Sequence, residues 1–298
     1  VVYNDKHVGF DGLSYEPGHL WIIKKHGTWD QLKQISNGAQ VKLVGINSFR
    51  SDQGADLGSE HFIHVKSSKI AVIMDGAFDV NQQGELAYYL TKQMQLNPSF
   101  IPLNQLFRSN FSAYSHLIFP NSKSIDLSKS QKILLDDYVR KGGQVLLFEK
   151  SGNLISDKDL ALNVKNLEDS TEVQVAYEDS ERHEISKTLT GNLVDVHVEK
   201  SNPLGFRLGQ NHMLIINQAE QLVNPNNKWK SIVKTTDKPL IYGFIGNLVK
   251  SKVANSLFLA SYSIGAGNYI WFGFNPLFRA IPNQSMVLLE NAILYHGN

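Results

Sequence analysis

Residues 69–75 read KIAVIMD, and residues 76–95 continue GAFDVNQQGELAYYLTKQMQ. A strand with one wetted face alternates apolar and polar residues, whereas the unbroken run Ile70–Met74 fits a strand covered on both faces of a parallel sheet. A helix is expected from about Val80 to Gln95, with Asp79 and Gln82 as a capping box. Its apolar positions Leu86, Leu90 and Met94 recur every four residues with Ala87 beside them, which gives one apolar face. The same rhythm follows downstream. PSFIPL (98–103) and SHLIFP (115–120) are expected strands, SKSQKILLDDYVRKGG (128–143) a helix opened by Ser128 and Gln131 and closed by Gly142-Gly143, and QVLLFEK (144–150) a fourth strand. Strand–helix alternation with short links predicts an α/β fold, an open, mostly parallel sheet with helices on both faces.

On either side the pattern differs. Residues 1–66 are expected to form a small N-terminal α/β unit and linker. Asp11-Gly12 and Pro17-Gly18 signal turns before a strand at Leu20–Lys25. Thr28 is the expected cap of a helix, with Gln31 completing a box and Gly38 stopping it. VKLVGINSF (41–49) is an expected strand and RSDQGADLGSEHF (50–62) a linker. Residues 67–298 form the larger domain, with a β-rich insertion at about 170–246. There TEVQVAYED, NLVDVHVEK, NHMLIIN, WKSIVKT and PLIYGF are strand-like pieces set apart by Asn, Pro and Gly. GNYIWFGF (267–274) returns to the core, and NQSMVLLENAILYHG (283–297) closes the domain as a helix.

Composition excludes several function classes. The chain has 298 residues, 42% hydrophobic and 19% charged, with net charge +1; a nucleic-acid partner would need a basic stripe that is missing. No apolar run approaches the roughly 18 residues of a membrane span. There are no cysteines, so thiolate nucleophiles, disulfides and Cys-rich metal sites are all ruled out. Starting at Val1 with no charged-then-apolar leader, the chain is expected to be a processed fragment.

Catalytic motifs fare poorly. His61 and His64 in HFIH are the closest histidine pair, but in a strand their rings point to opposite faces, and RHE (182–184) is equally weak, so no metal site is expected. GAG (265–267) precedes a strand, whereas the dinucleotide fingerprint follows one. Ser151, just after the fourth strand, sits where a nucleophile elbow would, yet lacks the Gly-x-Ser-x-Gly frame and a histidine base. Tyr88, Tyr89 and Trp229 suit either an interface or ordinary packing. An open α/β sheet leaves a crevice at its strand C-termini, which marks Asp75, Asn121, Glu149, Ser151, Asn275 and Arg279 as cleft candidates. Arg279 could hold a carboxylate bidentately or pair internally with Asp75 or Glu149.

After residue 69 the layout resembles the class I glutamine amidotransferase-like, or flavodoxin-like, fold. That family carries a cysteine after a central strand and a later FHPE motif. Here Lys150 or Ser151 stands at the thiol position, and Asn275 and Leu277 replace the His and Glu, so the resemblance implies a degenerate triad (Ser151, Asn275, Leu277) without catalysis. A second resemblance covers more of the chain. PGHLWII, GADLGS (54–59), KIAVIMDG (69–76), NPLGFRLG (202–209) and GAGNYIWFGFNPLFRA (265–280) occur in the order found in the C-terminal region of bacterial multidomain zinc carboxypeptidases, although Asn202 stands where that family usually has His. This implies a non-catalytic accessory region that serves folding, oligomerisation or substrate presentation in an exported hydrolase. Zinc and the metallopeptidase domain would lie N-terminal to these residues, which need no cofactor of their own. Two other readings stay open: a binding module for small molecules or peptide carboxylates, with a homo-oligomer possible, and an amidohydrolase using Ser151.

Overall fold

The computed structural model describes the chain except for His26, Gln40, Ser124, Pro282 and residues 156–162, 167–175, 218–219, 224–227 and 296–298. The chain divides into two compact units, Val1–Lys66 and Ser67–Asn298.

In the first unit, Val2–Asn4 lies between Leu20–Trp21 and Phe62–His64 in an antiparallel sheet. A hairpin joins Val8–Phe10 to Leu13–Tyr15. Its two turn residues, Asp11 and Gly12, both have positive φ, 50° and 72°, as the right-handed twist of a tight hairpin demands. Phe10, Trp21 and Phe62 stack edge to face, with centroids 5.2 Å (Phe10–Trp21) and 5.6 Å (Trp21–Phe62) apart, in the geometry that aromatic quadrupoles favour. Several expectations fail here. The helix Thr28–Ala39 runs past Gly38 and buries no residue. Thr28 caps nothing beyond the turn before it, because its hydroxyl donates to the Lys25 carbonyl at 2.6 Å. Residues 41–49 form no strand: Leu43 and Val44 are exposed, and apolar side chains without a partner strand or a face to bury do not order a ladder. The supposed linker instead closes on the hairpin, with Gly9 and Gln53 joined N to O at 2.8 Å.

The second unit holds ten strands in one mixed sheet: β1 (Ile70–Ile73), β2 (Ser99–Ile101), β3 (His116–Phe119), β4 (Gln144–Phe148), β5 (Asn192–Val198), β6 (Asn211–Ile216), β7 (Lys230–Lys234), β8 (Ile241–Tyr242), β9 (Leu257–Ile264) and β10 (Gly267–Phe272). The order is β6-β5-β7-β9-β10-β4-β3-β1-β2, with β8 beside β5. Strands β2, β1, β3, β4 and β10 pair parallel. Their order is the doubly wound flavodoxin-like one, which switches direction between β1 and β3. Most of the β-rich stretch extends the same sheet antiparallel from β10, while Glu220–Val223 pairs with Asn163–Asn166 in a separate two-stranded sheet. The stretch also contains a helix, Ser180–Ser186, and most of its first expected strand lies outside the described residues. Strand β9 has no counterpart among the expected elements.

Helices α1 (Val80–Tyr88), α2 (Lys129–Arg140), α3 (Asn247–Val253) and α4 (Asn283–Leu294) cover both faces. The alternation of the strands decides which. Ile70, Val72, Ile118, Leu146 and Ile270 pack with Leu86 and Leu90 at α1 and with Leu289 and Ile293 of α4. Their neighbours Ala71, Ile73, Leu117, Val145 and Trp271 pack with Leu135 and Val139 of α2. The helix expected to reach Gln95 instead loosens into a π turn at Tyr89–Gln93.

Candidate functional site

Strand β4 ends at Phe148, and the next residue, Glu149, has φ 48°. A non-glycine residue in that conformation costs about 1–2 kcal/mol, and a strained strand-to-helix turn of this kind is what displays a nucleophile in hydrolases. The elbow residue is therefore Glu149, one position before Lys150 and two before Ser151, the expected pair. Its carboxylate accepts a hydrogen bond from Gln82 Nε2 at 2.5 Å, and its carbonyl accepts one from Trp271 Nε1 at 2.9 Å. Ser151 is fully buried, and its hydroxyl donates to the Pro120 carbonyl. A carbonyl cannot take that proton, and among the described residues the serine hydroxyl has no base beside it.

Gln82 belongs to a network rather than to a capping box. Asp79 does cap α1, accepting from Gln82 N at 2.9 Å. The Gln82 side chain, however, reaches away: Oε1 accepts from Asn121 N at 2.8 Å while Nε2 serves Glu149. Asn121 in turn accepts from Lys150 N at 3.2 Å through Oδ1, and its carbonyl accepts from Asp79 N at 2.8 Å. The start of α1 is thereby tied to the exits of β3 and β4.

The exit of β10 meets the same helix further along. Asn275 Nδ2 donates to Glu85 Oε2 at 2.6 Å, and Arg279 N donates to Glu85 Oε1 at 2.9 Å. Asn275 Oδ1 accepts from Leu277 N at 3.0 Å, and Leu277 itself is core. Arg279 and Ala280 both lie in the left-handed region, φ 52° and 51°. The Arg279 guanidinium rests 5.1 Å from the Phe278 ring centroid.

The six cleft candidates do not share one cleft. Asn275 and Arg279 line the larger, of about 760 Å³, together with Asp79, Glu85, Thr190 and Asn217. Asp75 borders a second, of about 340 Å³, beside Asp126. Its carboxylate is held by Ala77 N at 2.9 Å and Leu103 N at 3.0 Å. Asn121 and Glu149 lie behind Gln82, and Ser151 is sealed in. The expected pairing of Arg279 with Asp75 or Glu149 is thus not made, because both carboxylates are engaged by other donors. Glu85 and Gln82 are site residues that motif reading misses. On one helix three apart, they could have been found only by asking which polar side chains of α1 face the strand exits.

Among the described residues no group of three potential metal ligands exists. His61 pairs with Asp5 at 3.0 Å beside the strand Phe62–His64. Tyr89 donates to Glu290 at 2.7 Å, and Trp229 packs on Tyr262 with centroids 5.7 Å apart; both are buried, whereas Tyr88 is exposed. No helix is long and apolar enough to cross a membrane among the residues described.

No family model matches the chain, and no curated protein matches it. A solved structure described as ThuA-like, from Parabacteroides merdae, aligns with TM-score 0.50 and 13% identity over 76% of this chain and 89% of that one. Another ThuA-like structure, from Bacteroides uniformis, gives 0.43 and 14% over 75% and 89%. One described as a GMP synthase subunit, from Thermoplasma acidophilum, gives 0.46 and 11% over 77% and 94%. At such identities the likeness speaks for the fold alone, an α/β fold whose parallel strands follow the flavodoxin-like order.

Proposed function

We propose that this chain is a non-catalytic, amidotransferase-like accessory module of a larger zinc carboxypeptidase-like protein. The observation that carries the non-catalytic reading is the state of the elbow. Glu149 is held by Gln82, Ser151 donates to a carbonyl, and Asn275 and Leu277 offer neither base nor acid. Asparagine takes no proton at neutral pH, and a serine without a base is a poor nucleophile. The amidohydrolase reading loses its support for the same reason. The peptidase context rests on the five ordered segments named above, in particular GADLGS, NPLGFRLG and GAGNYIWFGFNPLFRA. The module would then serve the folding, assembly or substrate presentation of an exported peptidase whose zinc lies in another domain.

The test is an assay of the purified chain, supplied with zinc, against glutamine and carboxypeptidase substrates. No turnover and no stoichiometric zinc are expected. Hydrolysis that disappears in Ser151→Ala would overturn the proposal.

A further inference from the structure

The larger cleft has a set of polar groups whose hydrogen-bonding capacity the fold leaves open. Asn217 Oδ1 is buried and has no hydrogen-bond partner among the described residues. A buried acceptor left unpaired costs about as much as a lost hydrogen bond, which makes such a group diagnostic of a missing partner. Asp79 uses one carboxylate oxygen to cap α1, and its other oxygen takes no hydrogen bond among the described residues. Arg279 stands exposed at the rim, its guanidinium meeting the Phe278 ring and, among the described residues, no carboxylate. Glu85 already accepts one hydrogen bond on each oxygen, from Asn275 Nδ2 and from Arg279 N.

What remains is one anionic acceptor, one neutral acceptor and one cationic five-donor fork lining a single cavity of about 760 Å³, a size typical of small-molecule sites. A simple anion would meet Arg279 but face Asp79. An amine would meet Asp79 and leave Arg279 unmatched. A zwitterion satisfies all three groups at once. The held backbone adds to this: two successive left-handed residues, Arg279 and Ala280, are fixed by the bond from Arg279 N to Glu85, and strain of this kind clusters at ligand clamps.

The geometry points to a binding site for a short peptide with both termini free, its ammonium on Asp79 and Asn217 and its carboxylate on Arg279. The cavity holds more than one free amino acid requires, which favours a peptide of two or three residues. This site does not rest on the chain being non-catalytic or on a peptidase partner, because its residues lie apart from the elbow.

Calorimetric titration of the chain with triglycine, triglycine amide and N-acetyl-triglycine tests it. Triglycine should bind, and each blocked form should bind about tenfold more weakly or worse, as expected when a charge-assisted hydrogen bond is lost. In Arg279→Gln the chain should no longer distinguish triglycine from its amide. In Asp79→Asn, which keeps a competent helix cap, it should no longer distinguish triglycine from the acetylated form. Absence of saturable triglycine binding, or discrimination that persists in both variants, overturns the site. Arg279→Lys, with the charge kept and the fork lost, should retain part of the carboxylate preference, and full retention of the wild-type preference would count against bidentate capture.

Discussion

Gln82 shows how much one amide can hold. Its two side-chain atoms bridge Asn121 N and the Glu149 carboxylate, joining three chain segments that meet nowhere else in sequence. Gln82→Ala removes a donor from a buried carboxylate and should lower stability by about 1–3 kcal/mol in urea unfolding. Gln82→Glu should be worse, since it sets two carboxylates face to face. In the first unit, Asp56 accepts from Ser51 N at 2.7 Å and from Ser51 Oγ at 3.0 Å, and the backbone bond, then the hydroxyl, holds its carboxyl below the usual range. The ionised form is the one stabilised, so the contribution is complete above the unfolded carboxyl pKa and is lost as pH falls through the lowered folded value. Asp56→Asn should flatten that acid limb, as followed by NMR titration of the Ser51 amide. Residues of this kind were the least legible. Cap and turn chemistry could be read at Ser128 and Asp11, where partners lie a few positions away. The partners of Gln82 and Glu85 lie across the sheet, and nothing local announces them.

At the scale of elements, legibility followed burial. Strands covered on both faces, Ile70–Ile73 and Gln144–Phe148, show as unbroken apolar runs because both faces meet helices. The same signal stands in LFLA of Leu257–Ile264, where the longer run GNYIWFGF close behind it masks it. Residues 41–49 carried a strand-like pattern with nothing to pair against. The GAG turn illustrates a motif with a packing cause. A Cβ on Gly267 would lie 2.2 Å from the Gly143 carbonyl oxygen and 2.3 Å from that of Val139, where the end of α2 presses on β10. Gly267→Ala should therefore cost about 3 kcal/mol or more, read as a fall in Tm. NPLGFR has a similar role. Asn202 caps the turn Pro203–Gly205 by accepting from Leu204 N at 3.0 Å. Buried Asn291 of α4 donates to the Leu204 and Phe206 carbonyls at 2.9 and 2.6 Å and accepts from Arg207 Nε at 2.9 Å. Asn291→Ala strips three bonds at once and should destabilise by about 3 kcal/mol, whereas Arg207→Ala should cost less because the Arg207–Glu290 pair is partly solvated.

Across the whole second unit, buried phenols set the alkaline limit. Burial first, and then hydrogen bonds to Glu290 and Asp136, push Tyr89 and Tyr269 far above their ordinary pKa, and burial does the same to Tyr138. The neutral phenol is favoured in the fold, so this stability is complete below about pH 10 and drains away as pH rises further. Ultraviolet titration should show the exposed tyrosines ionising first and the buried set only together with loss of near-ultraviolet circular dichroism. The α/β class was legible at this scale because alternation of elements survives any error in their ends. Whether the antiparallel pieces form an insertion or an extension of the sheet was not, since such a piece looks the same in sequence whether it folds apart or continues a neighbour. That continuation has a consequence for synthesis. The pairing of β4 with β10 brings together Gln144 and Asn268, 124 residues apart in the chain. A nascent polypeptide must therefore carry the raw edge of β4 uncapped through more than a hundred further translation steps. Ribosome-stalled intermediates ending between residues 150 and 265 should bind holdase chaperones and aggregate on release, and that tendency should vanish once β10 clears the exit tunnel.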